Sequence, residues 1–257
     1  MRPVLFEIFN AEVRSYYALW AFALFLLVVW TRRRAERLYG MSESDVSSVL
    51  VWVYCAGILG SFVPGIMERL PLYLDGRIAF AEVFRGLYSA GGLLAGGLAG
   101  LCRLRKLGAS ADAFADAVSI PLAVMLAVGR VGCLLEGCCS GAGAAFADAP
   151  RFWLHFPTDP ANFWRFPSQP LESFAALCIA LFLAVLSALL PEAKRRRGGV
   201  LFPFVLILYG LYRLLADPQR QLYADGLMNV NRYVWTAGII VGAAWLMRTA
   251  KRLRARD

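Results

Sequence analysis

The chain alternates long apolar runs with clusters of arginine and lysine. This pattern restricts the fold more than any other feature. A helix of roughly 20 mostly apolar residues crosses about 30 Å of hydrocarbon. In lipid every backbone N–H and C=O must be satisfied within the segment, which leaves helix as the spanning structure for such runs. Seven runs qualify: Tyr16–Trp30, Val46–Ile66, Gly86–Cys102, Ala113–Leu135, Leu171–Leu190, Val200–Asp217 and Tyr233–Met247. The first, third and seventh are short and are extended by about a turn, because interfacial aromatics and arginine can flank a span. No small-residue cleavage site follows the first run, so it reads as a retained span rather than a signal peptide. The expectation is an all-α integral membrane protein: residues 1–257 as one seven-span domain with outer loops 67–85, 136–170 and 218–232. Hydrophobic residues make up 59% of the chain. That excess excludes a disordered chain and sets it apart from soluble enzymes. Six cysteines are too few for a disulfide scaffold.

A net charge of +9 would ordinarily suggest an anionic partner such as nucleic acid. Its placement says otherwise. Sixteen of the 27 basic residues lie in four segments: Arg32–Arg34 with Arg37; Arg103, Arg105 and Lys106; Lys194–Arg197; and Arg248, Lys251, Arg252, Arg254 and Arg256. These follow the first, third, fifth and seventh runs. Basic residues concentrate in cytoplasmic loops. The N-terminus is therefore expected outside and the C-terminus in the cytoplasm, with no nucleic-acid partner. The opposite side carries nine scattered arginines, Arg2 and Arg220 among them. Two basic residues remain, Arg130 and Arg213, within the fourth and sixth runs near their outer ends. A charge at that depth costs several kcal/mol and marks a functional candidate. The bland alternatives are snorkelling to the interface or pairing with Glu172 or Asp217.

Tyr209, Arg213 and Asp217 are spaced by four and share one helix face, which should face the interior rather than lipid. There it could meet Arg130. Two inward arginines at one depth need an anion between them, either a carboxylate or a lipid phosphate. The stretch from Gly129 through Arg130, Gly132 and Cys133 to Gly137, Cys138, Cys139, Ser140 and Gly141 combines a buried guanidinium with a glycine-rich turn. Arginine presents a rigid fork suited to phosphate. The third run carries Gly91, Gly92, Gly96, Gly97 and Gly100, partly in GxxxG register. Such glycines serve either close helix packing or a backbone-lined lipid groove. Cys133, Cys138 and Cys139 could be packing residues, a disulfide in an oxidising compartment or metal ligands. A metal would need a fourth ligand, for which His155 is conceivable, and the cysteine spacing does not match the usual zinc pairs. His155 is the single histidine and reads as a loop residue or a general base.

Together these motifs resemble the bacterial prolipoprotein diacylglyceryl transferases. That family's turn reads Gly-Arg-x-Gly-(Asn/Cys), and in one subgroup it continues to Gly-Cys-Cys-x-Gly. Here the turn is Gly129-Arg130-Val131-Gly132-Cys133 followed by Gly137-Cys138-Cys139-Ser140-Gly141. An upstream family aspartate is matched by Asp116. The Pro-(Ser/Thr)-Gln-Leu-Tyr-Glu segment appears as Pro167-Ser168-Gln169-Pro170-Leu171-Glu172, and the Tyr-Gly-x-x-Arg-x-x-x-Glu segment as Tyr209 through Arg213 to Asp217. The family's His-Gly-Gly reads Ala90-Gly91-Gly92, and its Gly-Ala-Arg reads Gly60-Ser61-Phe62. Phe166, Leu171 and Cys138 stand where members carry His, Tyr and Glu.

The resemblance implies a seven-span inner-membrane enzyme that works at the outer leaflet. It would move the diacylglyceryl group of phosphatidylglycerol onto the lipobox cysteine of secreted precursors. It needs no metal or organic cofactor. Arg130 and Arg213 would hold the phosphate. Tyr209 would orient the head group, or donate to it. Glu172 and Asp217 would position the arginines. Gly129, Gly132, Gly141, Gly91 and Gly92 would line the lipid site, with Asp116 and Gln169 as support. Two other readings are a catalytically divergent paralogue that binds lipid or a partner, favoured by the replaced residues, and an anion transporter. The transporter would need internal repeats, which the chain lacks.

Overall fold

The computed structural model of the chain describes all residues except 1–2, 9–10, 86–87, 146–147, 149, 157–158, 161–162, 220–226 and 256–257. A hairpin of β1 (Val4–Ile8) and β2 (Ala11–Arg14) leads into α1 (Ser15–Tyr39) and α2 (Glu43–Leu74). The short α3 (Phe80–Val83), α4 (Ser89–Lys106) and α5 (Ala111–Glu136) follow. A second small hairpin pairs β3 (Gly143–Ala145) with β4 (Phe163–Arg165). The chain ends with α6 (Ser168–Leu189), α7 (Glu192–Arg197), α8 (Leu201–Ala216) and α9 (Leu227–Arg254).

The architecture is therefore all-α with two hairpin ornaments. The sequence pattern did not anticipate the hairpins. Their strands are three to five residues long, too short for a period-two signal to stand out. In each hairpin the two strands satisfy one another's backbone groups.

Among the described residues, five helices are long and apolar enough to cross a membrane: α1, α2, α5, α6 and the stretch Leu201–Gln219. Their outer faces carry bare apolar side chains. Leu189 is 77% exposed, Leu215 78% and Leu74 74%. An apolar surface of that extent belongs in hydrocarbon, not water. Helix ends depart from the expected limits in one instructive place. α2 does not stop at Ile66 but runs on to Leu74, so the first part of the expected loop 67–85 is helical. Leu70, Leu72 and Leu74 continue the apolar run, and Pro64 and Pro71 are accommodated within the helix. Similarly, α9 begins at Leu227, inside the expected loop 218–232. Gly86, Arg2, Arg220, Arg256 and residues 220–226 lie outside the described residues.

All four basic segments gather at one end of the bundle. Arg34 of α1 donates from Nε to the Ala117 carbonyl of α5 at 3.3 Å. Arg103 of α4 donates to Ser48 of α2 at 2.8 Å. Arg195 of α7 reaches the Ser187 carbonyl of α6 at 3.4 Å. Arg248 and Arg252 of α9 both meet Asp112 of α5, at 2.7 and 2.6 Å. Beneath that layer Asp116 is 1% exposed. Its carboxylate accepts the backbone N–H groups of Val200, Leu201 and Phe202 at 2.9, 2.9 and 3.0 Å. These are orphan donors of the first turn of α8, capped by a carboxylate from another helix. Asp116 thus supports α8, at the end remote from Arg130, rather than its own helix.

The glycines of α4 serve packing. α4 lies against α2 so closely that a Cβ at Gly91 would run into the Gly60 carbonyl and Pro64, and one at Gly92 into the Gly57 carbonyl, 2.9 Å away. The open face that Gly91 and Gly92 were expected to offer to lipid is filled by α2. Small residues at that spacing bring two backbones together. Gly97 points elsewhere, with nothing within 4 Å of its Cβ position. Gly91→Leu should therefore lower the melting temperature sharply in detergent, by the equivalent of about 1–3 kcal/mol for overpacking. Gly97→Leu should melt like the parent. Equal melting of the two variants would contradict the packing role.

Candidate active site

The first turns of α6 organise the other end of the bundle. Ser168, Gln169 and Glu172 are 2%, 0% and 2% exposed. The Ser168 hydroxyl donates to the Cys139 carbonyl at 2.8 Å, and Gln169 Nε2 to the Cys138 carbonyl at 2.8 Å. The Ser173 hydroxyl donates to the Ala127 carbonyl of α5 at 3.0 Å. Three side chains of one helix thus clamp the glycine-cysteine turn and the helix that leads into it. The turn itself is held in shape by Gly137, whose left-handed φ of 79° ends α5, and Cys138 N–H caps the Cys133 carbonyl at 3.1 Å.

Glu172 is the centre of the site. Its Oε1 lies 3.0 Å from Arg130 Nε and 3.4 Å from Arg213 Nη1, and accepts the Tyr209 hydroxyl at 2.6 Å. The two intramembrane arginines therefore share one carboxylate oxygen. Asp217 takes the other side of Arg213, accepting from Nε at 2.8 Å and Nη2 at 2.7 Å. Of the two anions expected to separate the arginines, the protein supplies a carboxylate of its own. The Arg130 side chain is 15% exposed against 6% for Arg213, so Arg130 is the more accessible cation. Tyr209 was expected to act on the head group. Its O–H is instead committed to Glu172, which makes it a residue that fixes the carboxylate.

Two members of the site went unread in the sequence. Trp235 of α9 donates from its indole N–H to Asp217 at 3.1 Å, and its ring lies 5.0 Å from the Arg213 guanidinium carbon. A buried tryptophan N–H usually finds a partner, and that rule was the available signal. Arg14 of β2 pairs with Glu136 at the end of α5 at 3.0 Å, tying the N-terminal hairpin to this end of the bundle. Gly129 and Gly132 let α1 approach α5. A Cβ at Gly129 would strike the Trp20 ring at 2.7 Å, and one at Gly132 would press on Leu19 at 3.3 Å. Gly141 is buried against Phe166, and its N–H donates to the Phe166 carbonyl at 3.0 Å. Phe166, where a histidine was expected, is thus part of the loop's packing. His155 is exposed, with Nδ1 3.0 Å from the Phe163 carbonyl, and has no contact with the arginines. In the same loop Arg165 forms a two-pronged pair with Asp159 at 2.5 and 2.6 Å. That guanidinium holds the Asp159 carboxyl below its usual range. Cys133, Cys138 and Cys139 come together beside Arg130, with their sulfurs within 4.8 Å of one another and Arg130 Nη1 3.9 Å from Cys133 Sγ.

A bundle of helices with apolar outer faces enclosing a buried cluster of two arginines and two carboxylates defines a multi-helix membrane protein with charge gathered in its interior. The family model for prolipoprotein diacylglyceryl transferase matches residues 3–248. The chain belongs to that family. Relatives with full-length similarity carry the name phosphatidylglycerol–prolipoprotein diacylglyceryl transferase. The protein of Clostridium tetani is 24% identical over 94% of this chain and 95% of its own length. That of Azospirillum brasilense is 29% identical over 97% and 94%. A Clostridium perfringens relative, whose name ends in "transferase 2", is 26% identical over 100% and 98%.

Removing one partner from a buried ion cluster leaves an uncompensated charge and costs about 3–5 kcal/mol. Glu172→Gln should lower thermal stability by that order, since two arginines then face each other. Adding Arg130→Met to it should recover part of the loss. A Glu172→Gln protein that melts like the parent would show that the cluster is not what holds this end together.

Proposed function

We propose that the chain transfers the diacylglyceryl group of phosphatidylglycerol to the lipobox cysteine thiol of secreted precursors. The thioether product stays anchored, and glycerol phosphate leaves. The observation that carries this reading is the pair of guanidinium groups gathered on Glu172 inside an otherwise apolar bundle. Arg130 meets Glu172 through Nε, which leaves its outer edge as a fork for a phosphodiester. As the bond from the glyceryl carbon to phosphate oxygen breaks, charge accumulates on the leaving phosphate. Arginines fixed beforehand in a dry site stabilise that charge without reorganising. Arg213 is locked by Asp217 and Trp235 and completes the positive wall, while Tyr209 and Glu172 set the spacing. The attacking group is the acceptor's sulfur, which is nucleophilic as thiolate.

The same reading makes α4 and α9 spanning helices, for seven crossings in all. The basic segments share one end of the bundle, which supports a cytoplasmic C-terminus and an N-terminus outside. The arginine site then faces the outer leaflet of the bacterial inner membrane, where phosphatidylglycerol and translocated precursors meet. A repurposed paralogue is not favoured, since full-length relatives carry the transferase name.

Purified protein, phosphatidylglycerol and a lipobox peptide should yield a diacylglyceryl thioether detectable by mass. Arg130→Ala should slow its formation by about 10²–10³-fold, the cost of losing one donor to developing charge. Arg130→Lys should also be poor, because a point charge lacks the fork. A wild-type rate in Arg130→Ala would sink the assignment.

A further inference from the structure

The three-cysteine turn is a built site that the transfer reaction as described leaves unused. Cys133 is buried at the end of α5, Cys138 is partly buried, and Cys139 is exposed. Their sulfurs all lie within 4.8 Å of one another. Three thiolates on one tetrahedral zinc ion, with Zn–S near 2.3 Å, sit about 3.8 Å apart. The observed triangle is therefore within about an ångström of that arrangement. The backbone is bent to make it. Cys139 has a φ of 61° and is the only non-glycine residue at positive φ among the described residues. Such strain persists where the surroundings impose it, and it concentrates at functional sites. The surroundings here are specific: buried Ser168 and Gln169 grip the Cys139 and Cys138 carbonyls. Metal ligands are held by outer partners of this kind.

A disulfide would use two of these sulfurs and leave the third unexplained. A metal uses all three. The sequence objection was the spacing, which does not match the usual zinc pairs, and the conceivable fourth ligand was His155; among the described residues no fourth side chain joins the cluster. Three protein ligands with an open position is the arrangement of zinc sites that bind a reactant. Zinc deprotonates a coordinating thiol outright. The reaction proposed above needs a thiolate, and the two carboxylates beside the arginines, Glu172 and Asp217, are already engaged by the guanidinium groups.

We propose that Cys133, Cys138 and Cys139 hold a zinc ion whose open position takes the acceptor cysteine of the precursor. This inference rests on the transferase reading. The acceptor thiol gives its proton to water as its sulfur binds zinc. That sulfur then attacks the glyceryl carbon, forming the C–S bond as the carbon–oxygen bond breaks. The electron pair leaves on the oxygen of glycerol phosphate, and the neutral thioether departs from zinc. Arg130 links the two halves. Its Nε meets Glu172 at 3.0 Å, and its Nη1 lies 3.9 Å from Cys133 Sγ. One guanidinium thus offsets the excess negative charge of a three-thiolate zinc centre and borders the phosphate wall.

The test uses the full chain, purified in detergent with zinc and dialysed against zinc-free buffer. Elemental analysis should find about one zinc per chain. Cys139→Ser changes the exposed ligand, so with the metal stripped from both its melting profile should match the parent, while zinc affinity falls by roughly tenfold or more. Cobalt substituted for zinc should give a thiolate charge-transfer absorption that Cys139→Ser weakens. Stripping the metal with a chelator should slow thioether formation on a lipobox peptide by roughly tenfold or more, and added zinc should restore it. Absence of zinc, recovery of the cysteines as a disulfide, or an unchanged rate after chelation would each overturn the proposal and leave the transferase reading standing. Zinc held by the cysteines in a chain that forms no thioether under any of these conditions would refute the acceptor's role, together with the transferase reading beneath it.

Discussion

One carboxylate oxygen holds the functional end of this protein together. Glu172 Oε1 lies between Arg130 of α5 and Arg213 of α8 and also takes the Tyr209 hydroxyl. Without it, two buried cations would face each other in a medium that screens them poorly. With it, their repulsion becomes a bridge between three helices. Asp217 and Trp235 extend the bridge to α9. Four helices are therefore registered at one depth by a single electrostatic cluster.

The helix that carries Glu172 also explains why the adjacent turn has a defined shape. Ser168, Gln169 and Glu172 lie on consecutive turns of α6, so one rigid element fixes the cysteine turn and the arginines together. Placing a site on a helix rather than on loops gives it precision. The opposite end follows a different logic. There Asp116 caps α8, and the glycines of α4 bring it onto α2. Both ends of α8 are thus set by side chains from other helices, Asp116 at its start and Glu172 near its end.

Much of this was legible in the sequence because membrane chemistry makes charge conspicuous. Arg130 and Arg213 stood out against apolar surroundings, and the four-residue spacing of Tyr209, Arg213 and Asp217 put them on one face. Glu172 was readable as one anion that could lie between the two arginines; that it, rather than Asp217, does so depends on where α6 packs between α5 and α8. Trp235 was hidden for the opposite reason: in an apolar run, tryptophan looks like more of the same. The glycines misled in part. GxxxG reports close approach but not what approaches, and at Gly91 and Gly92 the answer was α2. The small hairpins were invisible because strands this short carry no period. Nor does spacing along the chain reveal that Cys133 folds back onto Cys138 and Cys139, because two left-handed residues, Gly137 and Cys139, turn the backbone between them.

The latch at Asp112 bears on how the bundle is made. This carboxylate lies in the first turn of α5, yet its partners Trp245, Arg248 and Arg252 are all on α9, 133 to 140 residues further along the chain. Arg252 also reaches the Gly198 carbonyl at the entry to α8. During synthesis Asp112 therefore lacks these three partners until α9 has been made. A contact between residues so far apart in the chain can form only once α9 has been made, so the clasp between α5 and α9 comes after the helices between them.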